Sequence, residues 1–242
     1  MERRLWLAAI PSALAVAWLF MQADIGRSVS RVFLTMWIHE LGHAVAAWFC
    51  GYAAVPGPWF TRVPESRSFV FVLLCAGLLG YAAFAAWRRG SRVLPAICGA
   101  VFGLQLFMTL GVGPYRAREL WVFAGDGGLF VLGALLMGTV YAPEESKLRK
   151  NWLCWGFLVI GAFAFMDGWT TWRTAAADPE TIMFGQNVGS GDSDPTVLVD
   201  EFGWSVKQLV SRYTTLGWVC LLGLAGLYAW GALRRRGSEQ DG

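Results

Sequence analysis

Seven stretches, roughly 5–22, 31–50, 68–87, 93–112, 120–141, 152–172 and 213–233, are strongly apolar and carry few charges. Each approaches the about 20 residues that a helix needs to cross the hydrocarbon core of a bilayer. Lipid offers the backbone no hydrogen-bond partners, so only helices and closed barrels can span it. Barrel strands would alternate in polarity, and these runs do not. The pattern predicts an all-α protein, a polytopic transmembrane helix bundle of about six to seven spanning helices.

Composition agrees. Hydrophobic residues make up 56% of the chain and charged residues 15%, with a mean hydropathy of +0.46, against about 25% charged residues in a soluble domain. Tryptophans gather near segment ends, as at Trp87, Trp121, Trp152, Trp172 and Trp218, where an interfacial aromatic belt would place them. The net charge of +3 is small, and no long basic run or nucleic-acid motif is present, so the expected partner is the lipid bilayer and not nucleic acid. The expected location is a membrane, taken as a bacterial cell membrane, and the oligomeric state is open. The five cysteines fall inside or at the ends of apolar runs without Cys-x-x-Cys spacing. They read as small hydrophobes, with no disulfide expected.

The chain opens MERRLWLAAIPSALAVAWLF. This has the basic start and apolar run of a signal peptide but no clean small-residue cleavage site, and it reads as a retained first span. Three basic clusters, Arg88/Arg89/Arg92, Lys147/Arg149/Lys150 and Arg234/Arg235/Arg236, are separated by two crossings each and share one face. The positive-inside rule makes that face cytoplasmic. Arg3 and Arg4 then fall on the opposite face if the first segment spans, so either that segment does not cross fully or the rule is broken once.

Three parts follow: an N-terminal membrane segment (1–29), a core (30–142), and C-terminal membrane segments (143–242) interrupted by an acidic loop at 173–212. Within that loop, DEFGWSVKQLVSRY (200–213) has the pattern of a short amphipathic surface helix. A second long connection, 51–67, carries Pro56, Pro58 and Pro64.

The core holds TMWIHELGHAVAAWF at 35–49, which contains His39 and His43, the only two histidines of the chain. Residues four apart share a helix face, so both imidazoles can reach one metal ion while Glu40 reaches a water beside it. This is the His-Glu-x-x-His arrangement of zinc metalloproteases, in which the glutamate is the general base. Such charge is costly in a membrane and marks function more often than packing. Gly42 adds a small residue that lets a neighbouring helix or a substrate approach.

A catalytic zinc takes three protein ligands and keeps one open position. With no third histidine, the candidates are Asp126 and Asp167, each followed by glycine within an apolar segment. At 1.5 Å per residue, His43, Asp126 and Asp167 all lie about 8–10 Å from one membrane face, so depth does not choose. Gln105, also within a segment, reads as an interhelical hydrogen bond.

HELGHA in a membrane helix followed by GDGGLFVLGALL in a later one resembles the site-2 protease family of membrane-embedded zinc metallopeptidases. The resemblance spans roughly residues 30–140, with Gly125 standing where the family usually has leucine. It implies Zn2+ held by His39, His43 and Asp126, with Asp167 as the alternative third ligand or a carboxylate orienting a histidine. Glu40 is implied as the catalytic base and a membrane-protein or peptide as substrate. Gly127 and Gly128 would leave room for substrate backbone beside the metal. The loop 51–67 resembles in position the family's substrate-guiding loop. Two other readings stand beside this one: a metal-binding transporter or sensor, which needs no base at Glu40, and an inactive scaffold.

Overall fold

The computed structural model describes residues 2–143, 146–187 and 191–237. Positions 188–190, inside the Gly/Ser/Asp run of the acidic loop, and 144–145 lie outside that description, as do Met1 and residues 238–242. The chain is all-α. Its helices are α1 (Glu2–Phe20), α2 (Asp24–Ser30), α3 (Met36–Phe49), α4 (Phe69–Arg88), α5 (Val93–Gly111), α6 (Pro114–Gly138), α7 (Lys147–Lys150), α8 (Leu153–Ala177), α9 (Asp194–Asp200) and α10 (Val206–Gly237). Two small antiparallel pairs, β1–β2 (Val55–Pro56, Thr61–Arg62) and β3–β4 (Gln186–Asn187, Gly191–Asp192), lie in the long connections.

Among the described residues, five helices are long and apolar enough to cross a membrane: Phe69–Arg88, Val93–Gly111, Pro114–Tyr141, Leu153–Ala177 and Val206–Gly231. The first two expected spans, 5–22 and 31–50, meet that test only together, as Ala8–Phe20 and Asp24–Phe49 bent by 118° at the break. The physical reason is the polar stretch between them, which holds Gln22, Asp24, Arg27, Ser28, Ser30 and Arg31. Ala23 turns to extended backbone ahead of α2. Gly26 then packs so closely under α1 that a Cβ there would sit 2.1 Å from the carbonyl oxygen of Phe20. Counting the pair as one broken span gives six crossings. Arg3 and Arg4 then fall on the same face as the other basic clusters, and the conflict with the positive-inside rule disappears.

The centre of the bundle is α3 against α6 against α8. Membrane helices gain little from apolar contact alone, and small residues let their backbones approach. At the α3–α6 crossing a Cβ on Gly128 would lie 2.6 Å from the Gly42 Cα. At the α6–α8 crossing one on Gly161 would lie 2.6 Å from the Gly133 carbonyl oxygen. Gly42 therefore serves a neighbouring helix, and Gly128 serves that same contact. The α4–α5 hairpin hangs on α3 through the Gln105 amide, which donates to the Trp48 carbonyl at 3.1 Å, and the Thr109 hydroxyl, which donates to the Phe49 carbonyl at 3.2 Å.

Between α8 and α10, the described residues of 178–187 and 191–205 form a cap over one end of the bundle, with Val197, Leu198 and Trp204 buried. The expected surface helix at 200–213 does not form as a separate element. Val206 opens α10, which runs on as the last span. The cause is a reciprocal cap: the Gln208 amide donates to Ser205 Oγ at 3.2 Å and the Ser205 amide to Gln208 Oε1 at 2.9 Å. That Ser-x-x-Gln box starts a helix where periodicity alone suggested an isolated one.

Candidate metal centre

His39 and His43 point from α3 into a cavity of about 640 Å3 that Glu40, Arg31, Trp59, Thr61, Asp126 and Asp194 also line. Each imidazole is fixed through Nδ1. The Trp121 carbonyl lies 2.7 Å from His43 Nδ1, and a carbonyl can only accept, so this nitrogen carries the proton. Asp126 Oδ1 lies 2.9 Å from His39 Nδ1, and a carboxylate assigns the proton in the same way. Both Nε2 atoms are then lone-pair acceptors in the neutral rings.

These two acceptors face each other at 3.1 Å. A third joins them: Asp194 Oδ2, at 3.1 Å from His39 Nε2 and 3.2 Å from His43 Nε2. That oxygen is buried and accepts no hydrogen bond among the described residues. With both rings neutral, three acceptors meet here without a donor and repel one another unless a metal ion or a proton sits among them. Their separations also approach the edge of a coordination tetrahedron with bonds of about 2.0–2.1 Å, which is about 3.3 Å. His39, His43 and Asp194 thus form a cluster that could hold a metal ion.

Gly125 supports the same fit. A Cβ there would lie 2.5 Å from His43 Cε1 and 2.6 Å from both His43 Nε2 and Asp194 Oδ2. Any side chain there would enter the space beside the three clustered atoms. Gly127 and Gly128 do not border this space. Gly127 packs toward Leu216 and Phe123, and Gly128 against Gly42.

The carboxylates therefore take places that differ from those expected. Asp126, expected as third ligand, sits on the Nδ1 side of His39, away from the convergence point. Its second oxygen accepts from Trp172 Nε1 at 3.0 Å. It has the position of a carboxylate that orients a metal-binding histidine and raises its basicity. Asp167, the alternative ligand, is one step further out. Its Oδ2 accepts from Thr35 Oγ1 at 2.6 Å and pairs with Arg31 at 3.1 Å. Arg31 also lies 3.9 Å from Asp126, so one guanidinium serves both buried carboxylates. Arg31 and Thr35 begin and end a π-helical turn ahead of α3, a local widening often found at functional sites.

Asp194 was not among the residues expected from sequence. It opens α9, with Pro195 behind it, and the preceding Ser193 is pinned to the cap. The Ser193 amide donates to the Gly185 carbonyl at 2.8 Å, and its hydroxyl to the Met183 carbonyl at 2.9 Å. As a metal ligand Asp194 would serve as the carboxylate.

Glu40 is buried, and the Thr61 hydroxyl lies 2.8 Å from both its Oε2 and its backbone carbonyl, one proton shared between two acceptors. Thr61 belongs to β2, so the connection 51–67 folds as a hairpin whose second strand reaches the catalytic candidate. No protein-family model matches the chain, and no curated protein or solved structure is significantly similar to it.

Proposed function

We propose that the protein is a membrane-embedded zinc metallopeptidase of the site-2 protease kind. It would bind zinc through His39, His43 and Asp194 and hydrolyse peptide bonds of membrane-protein substrates. One observation carries this reading: two imidazole Nε2 atoms and a carboxylate oxygen converge within 3.2 Å of one another, and a buried glutamate lines the same cavity. Two histidines and a carboxylate suit zinc with an open position. They also suit Fe(II), but the glutamate directly after the first histidine is the addition that peptide hydrolysis requires.

Bound there, the metal would supply Lewis-acid polarisation of a carbonyl and acidification of a water. The chain's own residues supply the rest. Glu40 takes a proton from the attacking water as its oxygen bonds to the peptide carbon, and returns it to the amine as the C–N bond breaks. Thr61 sits against the Oε2 side of Glu40 and its backbone carbonyl, and the other carboxylate oxygen moves that proton. Asp126 and the Trp121 carbonyl keep both imidazoles in the tautomer that presents Nε2. Arg31 neutralises part of the charge that Asp126 and Asp167 bring into the bundle.

The test is Glu40→Gln in the full-length protein, with metal content and cleavage of a membrane-peptide substrate measured on the same preparation. Metal should stay at about one zinc per chain, while cleavage falls about 10²- to 10⁴-fold. Metal retained with cleavage unchanged would remove Glu40 as the base, and metal bound by a wild type that cleaves nothing would leave a transporter or sensor. Absence of bound metal and of cleavage in the wild type would leave a scaffold, and iron in place of zinc would reassign the chemistry.

A further inference from the structure

We infer that a cleft between the N-terminal halves of α6 and α10, apart from the metal centre, binds the phosphate of an anionic phospholipid through Arg116 and Arg212. The cleft measures about 570 Å3. Its polar end is built around a single carboxylate. Glu119, largely buried, accepts from Trp204 Nε1 at 2.6 Å and pairs with Arg116, while Arg212 lies 4.0 Å away. The Arg212 guanidinium stacks 3.9 Å above the Trp204 ring. Two guanidiniums share one negative charge, so the group carries a net positive charge and unused N–H donors, and both side chains are more than half exposed. A guanidinium fork matches a phosphate in both charge and shape.

The rest of the cleft is apolar and runs in one direction. Arg116 and Arg212 lie within about 10 Å of the starts of their helices, at 1.5 Å per residue. Leu120, Phe123, Leu216 and Val219 line the same cleft one to two turns further along. Because both helices are spans, that direction is the membrane normal, from headgroup level into the acyl region. A positive end at the interface joined to an apolar trough at acyl depth complements a phospholipid. A free phosphate would use only the upper half. The helix starts themselves add partial positive charge on the same side.

The experiment uses the full-length protein in detergent, with phospholipid retention read by native mass spectrometry against added phosphatidylglycerol, phosphatidylcholine or inorganic phosphate. Each basic group near an anionic surface is worth about fivefold. Phosphatidylglycerol should therefore be retained over phosphatidylcholine, and Arg116→Gln with Arg212→Gln should lower that preference about 10- to 30-fold. Glu119→Gln keeps an acceptor for Trp204 and both arginines, and should raise phosphatidylglycerol retention several-fold. This reads the site with the opposite sign even if the double variant folds poorly. Equal retention of the two lipids, an unchanged preference in the folded double variant, no gain in Glu119→Gln, or displacement of the lipid by millimolar phosphate would each overturn the inference. None of these outcomes bears on zinc or proteolysis.

Discussion

The α3–α6–α8 group and the α4–α5 hairpin are both built from apolar helices, yet they solve opposite problems. Half of the span windows of α6 and α8 is buried inside the protein, against 11% for α4 and 17% for α5. The buried group holds His39, Glu40, His43, Asp126 and Asp167; α4 carries no carboxylate, amide or imidazole, and the buried Gln105 of α5 is turned back toward α3. An intramembrane ionisable group is tolerable only where protein partners surround it. The close glycine crossings that bring α3 onto α6 and α6 onto α8 supply those partners. The hairpin, mostly facing lipid, has nothing to offer a charge. The comparison points to the spans whose glycines let neighbouring helices approach as the place to look for chemistry in such a protein.

The largest effects should follow removal of a group from the convergent cluster. His39→Ala, His43→Ala and Asp194→Ala are each expected to reduce bound metal from about one per chain to background, as read by elemental analysis of purified protein. Asp126→Ala should weaken metal affinity about 10- to 100-fold without abolishing it, the range for a carboxylate that orients a histidine ligand. The reverse ranking, with Asp126→Ala abolishing metal and Asp194→Ala sparing it, would restore the ligand set that the family resemblance implied. Asp194 would then be a neighbour of the centre and not part of it.

That ranking marks how much of the site could be read in advance. The His-Glu-x-x-His helix was legible because its chemistry is local: three residues within five, on one helix, in an apolar run. Asp126 was legible as important for the same reason, though its role required knowing which imidazole nitrogen it meets. Asp194 was not, because it lies in a Gly/Ser/Asp run that reads as a solvated loop, far from the histidines in sequence. Its one local signal was the Ser193-Asp194-Pro195 pattern of a helix start, which would have fixed the start of α9 but not what α9 reaches. Most spans were legible from hydropathy. The first two were merged by a break whose sharpness depends on Gly26 packing under Phe20, a contact that no periodicity reports.

A sharper probe of the centre is a single methyl. Gly125→Ala places it 2.5–2.6 Å from His43 and Asp194 Oδ2, so a ligand must move. Overpacking of this kind costs about 1–3 kcal/mol, which corresponds to about 5- to 150-fold in metal affinity if the strain falls on the ligands. Gly127→Ala, two residues on, meets its nearest neighbour at 3.4 Å, ordinary contact, and should leave affinity within about twofold. Calorimetric titration of both variants with zinc checks the pair. Equal affinities would mean that the space beside Gly125 is not where the metal sits.

The smallest effect belongs to the hairpin. Gly80 lies in the interior of α4, and no atom lies within 4 Å of a Cβ built there. Replacing it with alanine removes a helix-interior glycine that costs about 0.5–1 kcal/mol and adds a methyl facing lipid, so Gly80→Ala should leave thermal stability unchanged or slightly raised. The contrast with the bundle centre is then direct. Gly128→Ala pushes a methyl against the Gly42 Cα at 2.6 Å and must separate α3 from α6, at about 1–3 kcal/mol, and it would draw the Glu40 helix away from the cavity wall. The two variants, melted side by side in the same detergent, should move in opposite directions. A Gly80→Ala protein destabilised as much as Gly128→Ala would show that the exposed face of α4 packs against a partner, such as a second copy of the chain, and that lipid contact is the wrong account of why the hairpin is so apolar.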